Sequence, residues 1–167
     1  MSKTTEEGLN TVELQELMDL CSIYPEDFFG VQPCDIFLEN AKKKKFSSNS
    51  RHIINLSSSN HSGSHWVCIM FKDKQALYFD SFGDKCYDKN ILKVFEEMNM
   101  NFDYSNVNIQ HNKSTYCGYF CVARILCDEV GISHDQFIKL FNQRYLYLND
   151  CISVSIIKAF IDQMYRQ

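Results

Sequence analysis

The sequence predicts an α+β fold, with one central mixed β-sheet flanked by helices, on three grounds. Two neighbouring runs, HWVCIMF at 65–71 and QALYFDSFG at 75–83, are apolar on both faces. Strands of that kind lie in the middle of a sheet covered on both sides. Helical patterns stand before and after them, two of them opened by capping boxes, Asn10 with Glu13 and Ser133 with Gln136. The 167 residues are 45% apolar and 23% charged, enough for one domain with a sizeable core.

The elements are read in chain order. Asn10 to Cys21 reads as a first helix, with Val12, Leu14, Leu17 and Met18 apolar. YPEDFFGVQPCDIFLENA comes next, with turn residues at Pro25, Gly30 and Pro33. Lys42 to Lys45 and SSNS make a polar loop, and RHIINL at 51–56 is a short strand. SSSNHSGS is a polar loop, flexible enough for a lid, that delivers the chain into the two central strands. Along the first of these, His65, Val67, Ile69 and Phe71 share one face and Trp66, Cys68 and Met70 the other. Asn90 to Met98 is an amphipathic helix, and VNIQ at 107–110 a short strand. A strongly apolar helix runs from Cys117 to about Glu129, one with Phe137, Ile138 and Phe141 comes after it, and a last begins near Asp150.

Composition narrows the function classes. The net charge of −4 and pI of about 5.7 do not suit an obligate nucleic-acid binder. The lysine run reads as a solvated loop or, more sharply, as a polyanion contact. The opening MSKTTEEGLN has no apolar core, so it is expected to be neither a signal nor a transit peptide. No run approaches a membrane span. The eight cysteines are irregularly spaced without a CxxC pair, which favours free thiols over a disulfide framework or a zinc ribbon.

The chemistry gathers at STYCGYFCVARIL. Cys117 stands at the first turn of its helix, directly before Gly118. A hairpin between the two central strands supplies a partner for it. With Lys72-Asp73 as the turn, His65 faces Asp80 directly; with a four-residue turn, Asp80 is the diagonal neighbour on the same face. Those positions bring Cβ atoms to ~5 Å or ~7–8 Å. A thiolate nucleophile needs such a pair: His65 takes the proton and later gives it to the leaving amine, and Asp80 fixes the ring's tautomer. The positive end of the helix also favours the thiolate. The Cys117 N–H and the Gln110 side-chain amide could serve an oxyanion. Gly118 leaves room for a substrate backbone. Taken singly, each residue also has a plain structural reading: Cys117 as packing, Asp80 as a turn cap, and Cys121, one turn on from Cys117, as core.

As an ordered set, HW, DSFG, Q and CGYFC resemble the adenain-like and SUMO-deconjugase clan of cysteine proteases. The order His, Asp, Gln, Cys separates this clan from papain-type enzymes. Gln110 stands seven residues before Cys117, a spacing similar to that of the adenovirus protease. FFGVQPCDIF at 28–37 resembles the F-x-G-V-x-x-x-D segment of adenain-like proteases from virophages and polinton-type elements. The resemblance implies one cysteine protease domain over 1–167, with Cys117 as nucleophile, His65 as base, Asp80 as orienter and Gln110 as oxyanion donor. It implies that Trp66 walls a narrow channel passing small residues, so that cleavage falls at Gly-Gly or Gly-x sites. The implied role is trimming of capsid or core precursors during virion maturation, in the virion or the host-cell cytoplasm, by a monomer with no cofactor. Adenovirus proteases typically carry Glu where this chain has Asp80, and they use DNA and a disulfide-linked peptide. This chain is acidic and none of its cysteines is assigned to such a link, so those activators are not carried over. Ubiquitin-like-protein deconjugation is the alternative.

Overall fold

The two central apolar runs fold as read. A computed structural model describes residues 8–167, so most of the opening segment read as neither signal nor transit peptide lies outside the described residues. The sheet has five strands in the order β1 (Phe28–Pro33), β2 (Arg51–Asn55), β3 (Trp66–Lys72), β4 (Gln75–Phe79) and β5 (Asn101–Tyr104). The outer pairs are parallel and the two inner pairs antiparallel, which makes the sheet mixed. Among the described residues six α-helices accompany it: α1 (Thr11–Cys21), α2 (Cys34–Lys42), α3 (Lys89–Glu97), α4 (Cys117–Glu129), α5 (His134–Ile138) and α6 (Asn149–Tyr165). None of the described helices is long and apolar enough to cross a membrane.

Alternation along β3 feeds two separate cores. Trp66, Cys68 and Met70 pack with Leu14 of α1, Phe120 and Ile125 of α4, and Ile157 of α6. Val67, Ile69 and Phe71 pack with Phe37 of α2 and Ile91 and Phe95 of α3. Each fully buried aliphatic or aromatic side chain contributes about 1.5–3 kcal/mol, so β3 anchors both layers. Both capping boxes form as read, at Asn10–Glu13 and Ser133–Gln136. The end of α1 is tied to the end of α4, where Glu129 accepts from the Ser22 hydroxyl at 2.5 Å and the Ile23 N–H at 3.0 Å.

The β3–β4 turn is shifted by one residue from the tighter register expected. Lys72 pairs with Gln75 and Phe71 with Ala76, so Asp73 and Lys74 form the turn. Asp73 takes the left-handed φ of 56° that the reversal needs. Along this register Asp80 is the diagonal, same-face neighbour of His65.

Two stretches differ from their sequence reading. FFGVQP is an edge strand and CDIFLENAK a helix, where turn residues stood out in the sequence. Gly30 lies at the bulge of β1 and Pro33 at its last residue, the places where a strand tolerates them. VNIQ is not a strand. The N–H groups of Ile109 and Gln110 both donate to one carbonyl, that of Ser81, at 2.9 and 3.1 Å, which leaves no ladder to propagate. The fifth strand is instead Asn101–Tyr104, mostly exposed and without an apolar run to announce it.

His52 of β2 is fully buried among Phe29, Phe37, Phe46 and Phe71. The Ser50 hydroxyl donates to the Ser47 carbonyl, so it accepts from His52 Nε2 at 2.8 Å; His52 Nδ1 accepts from the Gln32 amide at 3.1 Å. The neutral ring is thus satisfied at both nitrogens, and burial pushes its pKa down to about 3. Because the folded pKa lies below the ordinary 6.5, the stability His52 contributes is present above pH 6.5 and is lost as pH falls toward 3. Each pH unit in that window costs about 1.4 kcal/mol. Urea unfolding at pH 7 and pH 4.5 checks this: His52→Gln should shrink the difference between the two by about 2.5 kcal/mol. An unchanged difference would mean that the buried ring accepts a proton freely.

Candidate active site

Because β3 and β4 run antiparallel, the start of one and the end of the other share a sheet end. His65 immediately precedes β3 and Asp80 immediately follows β4. Their side chains meet, with His65 Nε2 at 2.8 Å from Asp80 Oδ1. Asp80 is buried, and the same oxygen accepts from the Phe82 N–H at 2.8 Å. One carboxylate oxygen therefore caps the DSFG turn and holds the imidazole. The Phe82 ring stacks on the imidazole at 5.0 Å between centroids.

On the Cys68 face of the sheet, α4 lies against β3 and carries Cys117 as its first residue. Cys117 is partly exposed, whereas Cys121, one turn further on, is fully buried beside Cys68. Cys117 lies near enough to His65 to act on its ring. With Nε2 committed to Asp80, Nδ1 is the nitrogen available to the sulfur. Burial pulls the imidazole pKa down, but the hydrogen bonds and charges of Asp80 and Cys117 outweigh it and lift it to about 9. At neutral pH the ring is therefore held as imidazolium, the form that stabilises a neighbouring thiolate.

A cavity of about 680 Å³ opens over this group, bordered by Trp66, His65, Phe82, Gln110 and Cys117. One wall is the stretch from Gly8 to Thr11. The Trp66 indole is fixed to that wall, donating to the Leu9 carbonyl at 2.9 Å. Another wall is the serine-rich loop before His65. Hydrogen bonds hold this loop in place: Ser57 Oγ to Ser64 Oγ at 2.8 Å, and Ser59 N–H and hydroxyl to Asp35 at 2.8 and 2.5 Å. Asp35 closes the FFGVQPCD segment, so that segment reaches the site through this loop.

Four residues singled out from sequence, His65, Trp66, Gln110 and Cys117, line one cavity, with Asp80 directly behind His65. Gly118 does not join them. A Cβ there would lie 3.0 Å from Leu14 Cδ2 and 3.4 Å from Leu9 Cβ, so its missing side chain admits α1 rather than a substrate. Gln110 is buried, and its amide is held at both ends: the carbonyl accepts from the Ser81 hydroxyl, and Nε2 donates to the Ser114 carbonyl at 3.0 Å. Sequence reasoning passed over Ser81 and Ser114, although Ser81 lies inside the DSFG motif.

No protein-family model matches the chain, and no curated protein does. Among solved structures, the chain is similar to the ASFV pS273R protease, with a TM-score of 0.63 at 13% identity over 93% of this chain and 68% of that one. A selenomethionine form of the same protease gives a TM-score of 0.57 at 13% identity over 92% and 69%. At such identity the likeness is one of fold: the chain shares the α+β architecture of that structure.

Proposed function

We propose that the chain is a thiol endopeptidase that cleaves after small residues. The observation that carries this reading is His65 set between Asp80 and Cys117 on the floor of an open cavity. In this reading the Cys117 thiolate attacks the scissile carbonyl carbon, and the carbonyl π electrons move onto oxygen. The Cys117 N–H at the helix start and the Gln110 amide receive that oxyanion. As the tetrahedral intermediate collapses, the C–N bond breaks and the His65 imidazolium gives its proton to the leaving amine. A water, deprotonated by His65, then attacks the thioester, and the acid product leaves with Cys117 regenerated. Asp80 keeps the ring aligned through both halves. Trp66, fixed to Leu9, narrows the cavity beside the histidine and favours Gly-Gly or Gly-x sequences. The natural substrates in this reading are capsid or core precursors, trimmed during virion maturation.

The test is a short-peptide set rich in Gly-Gly and Gly-x sites, run beside a folded ubiquitin-like fusion. Wild type should cut the peptides, and Cys117→Ala should lower turnover by about 10³-fold or more. Cutting of the folded fusion alone would replace this reading with a deconjugase.

Alkylation reports the ion pair independently of any substrate. In this reading the His65 imidazolium, held up to about pH 9, keeps the sulfur reactive, so wild-type Cys117 should stay fast toward iodoacetamide below pH 7. His65→Ala should leave an ordinary thiol with a midpoint near ~8.5, roughly 100-fold slower at pH 6.5. Parallel wild-type and variant profiles would show that the histidine does not activate the sulfur. The raised His65 pKa also has a stability sign: its contribution is full below pH 6.5 and is lost as pH rises through about 9.

A further inference from the structure

The Gln110 segment is gripped by the first two residues of α6, from a part of the chain remote in sequence. Asn149 is fully buried, and its amide donates to the Ile109 carbonyl at 2.8 Å and the Asn142 carbonyl at 2.9 Å. Asp150 Oδ1 accepts from the Ser114 hydroxyl at 2.7 Å. That single bond sets the direction of the hydrogen bonds around Gln110. A serine hydroxyl has one proton and two lone pairs. With the proton committed to Asp150, the lone pairs of Ser114 Oγ receive Gln110 Nε2 at 3.2 Å and the Tyr116 N–H at 3.1 Å. At the other end of the amide, Ser81 presents its own proton to Gln110 Oε1. At the Ser114 end the flipped amide would set its carbonyl against two acceptors, the Ser114 carbonyl and the committed hydroxyl oxygen, so the amine belongs there and the carbonyl takes the Ser81 proton.

We propose that Ser81, Ser114 and Asp150 are positioning residues that hold the Gln110 amide in one orientation at the cavity wall, with Nε2 on the Ser114 side, where it donates to the Ser114 carbonyl and hydroxyl oxygens, and with Asn149 fixing the backbone beside it. This deepens the peptidase reading and rests on it for its catalytic consequence. An oxyanion donor is effective only if its direction is set before the charge forms. α6 would then act on the chemistry while touching neither the sulfur nor the substrate.

The experiment has two arms. In the first, Asp150→Ala and Ser81→Ala should each lower kcat on a Gly-Gly peptide by roughly 10- to 100-fold while leaving KM and the rate of Cys117 alkylation unchanged. Asp150→Asn, which keeps an acceptor oxygen, and Ser81→Thr, which keeps the hydroxyl, should restore much of the loss. Equal falls in turnover and alkylation would make these residues merely structural and overturn the proposal. The second arm needs no substrate: the side-chain amide protons of Gln110, followed by NMR, should be protected from solvent exchange in wild type and exchange faster in Asp150→Ala. An unchanged amide would overturn the positioning role whatever the turnover. Loss of protection in a protein whose wild type cuts no peptide would sustain the positioning role and sink the peptidase reading.

Discussion

The site depends on the antiparallel pairing of β3 with β4. Both strands are covered on two faces, so their register is set by burial: a slip of one residue would exchange the side chains of the two cores. With Cys68 opposite Phe79 and Ile69 opposite Tyr78, the residues just beyond the strand ends are His65 and Asp80. They share a face and a sheet end, and they close to hydrogen-bond distance. The packing of α4 on the opposite face of β3 then brings the first residue of that helix to the same end. Interior packing of this kind leaves little room for the reacting groups to drift.

The turn after β4 carries much of the remaining organisation. Asp80 accepts from both His65 and the Phe82 N–H. The Ser81 carbonyl receives the N–H groups of Ile109 and Gln110, and its hydroxyl holds the Gln110 amide. Gly83 adopts φ 78°, and a Cβ there would come within 2.7 Å of the Val107 backbone. Four consecutive residues thus hold the histidine, fix the oxyanion candidate and let the 107–110 segment pass close by. The same arrangement explains why 107–110 forms no sheet ladder, since one carbonyl takes both amides.

Three histidines, His52 fully buried and His65 and His134 partly so, respond to burial in different ways because their neighbours differ. His52 has neutral partners and is pushed down to about 3. His134 falls to about 4, through burial and the nearby Arg124 charge. His65 loses solvation too, yet rises to about 9 because Asp80 and Cys117 stabilise its cation. Of these three rings, the fold keeps as imidazolium the one that a carboxylate and a sulfur both meet, which is where the proposed chemistry hands over a proton.

Much of this was legible in the sequence because it is local or periodic. Period-two burial of the central strands, the caps at Asn10 and Ser133, and Cys117 at a helix start are written in neighbouring residues. The pairing of His65 with Asp80 was legible because a short hairpin leaves few registers. The edge strand at 28–33 was obscured because Gly30 and Pro33 signal turns anywhere except at a bulge and a strand end. Gly118 shows the limit for single residues: the sequence marks where a side chain is missing, but only the packing of Leu14 and Leu9 decides what fills the gap. The grip of Asn149 and Asp150 on the Gln110 segment had no sequence signal. Those contacts join residues about forty positions apart, and their partners are chosen by how α6 docks, a property of tertiary packing with no local period to read.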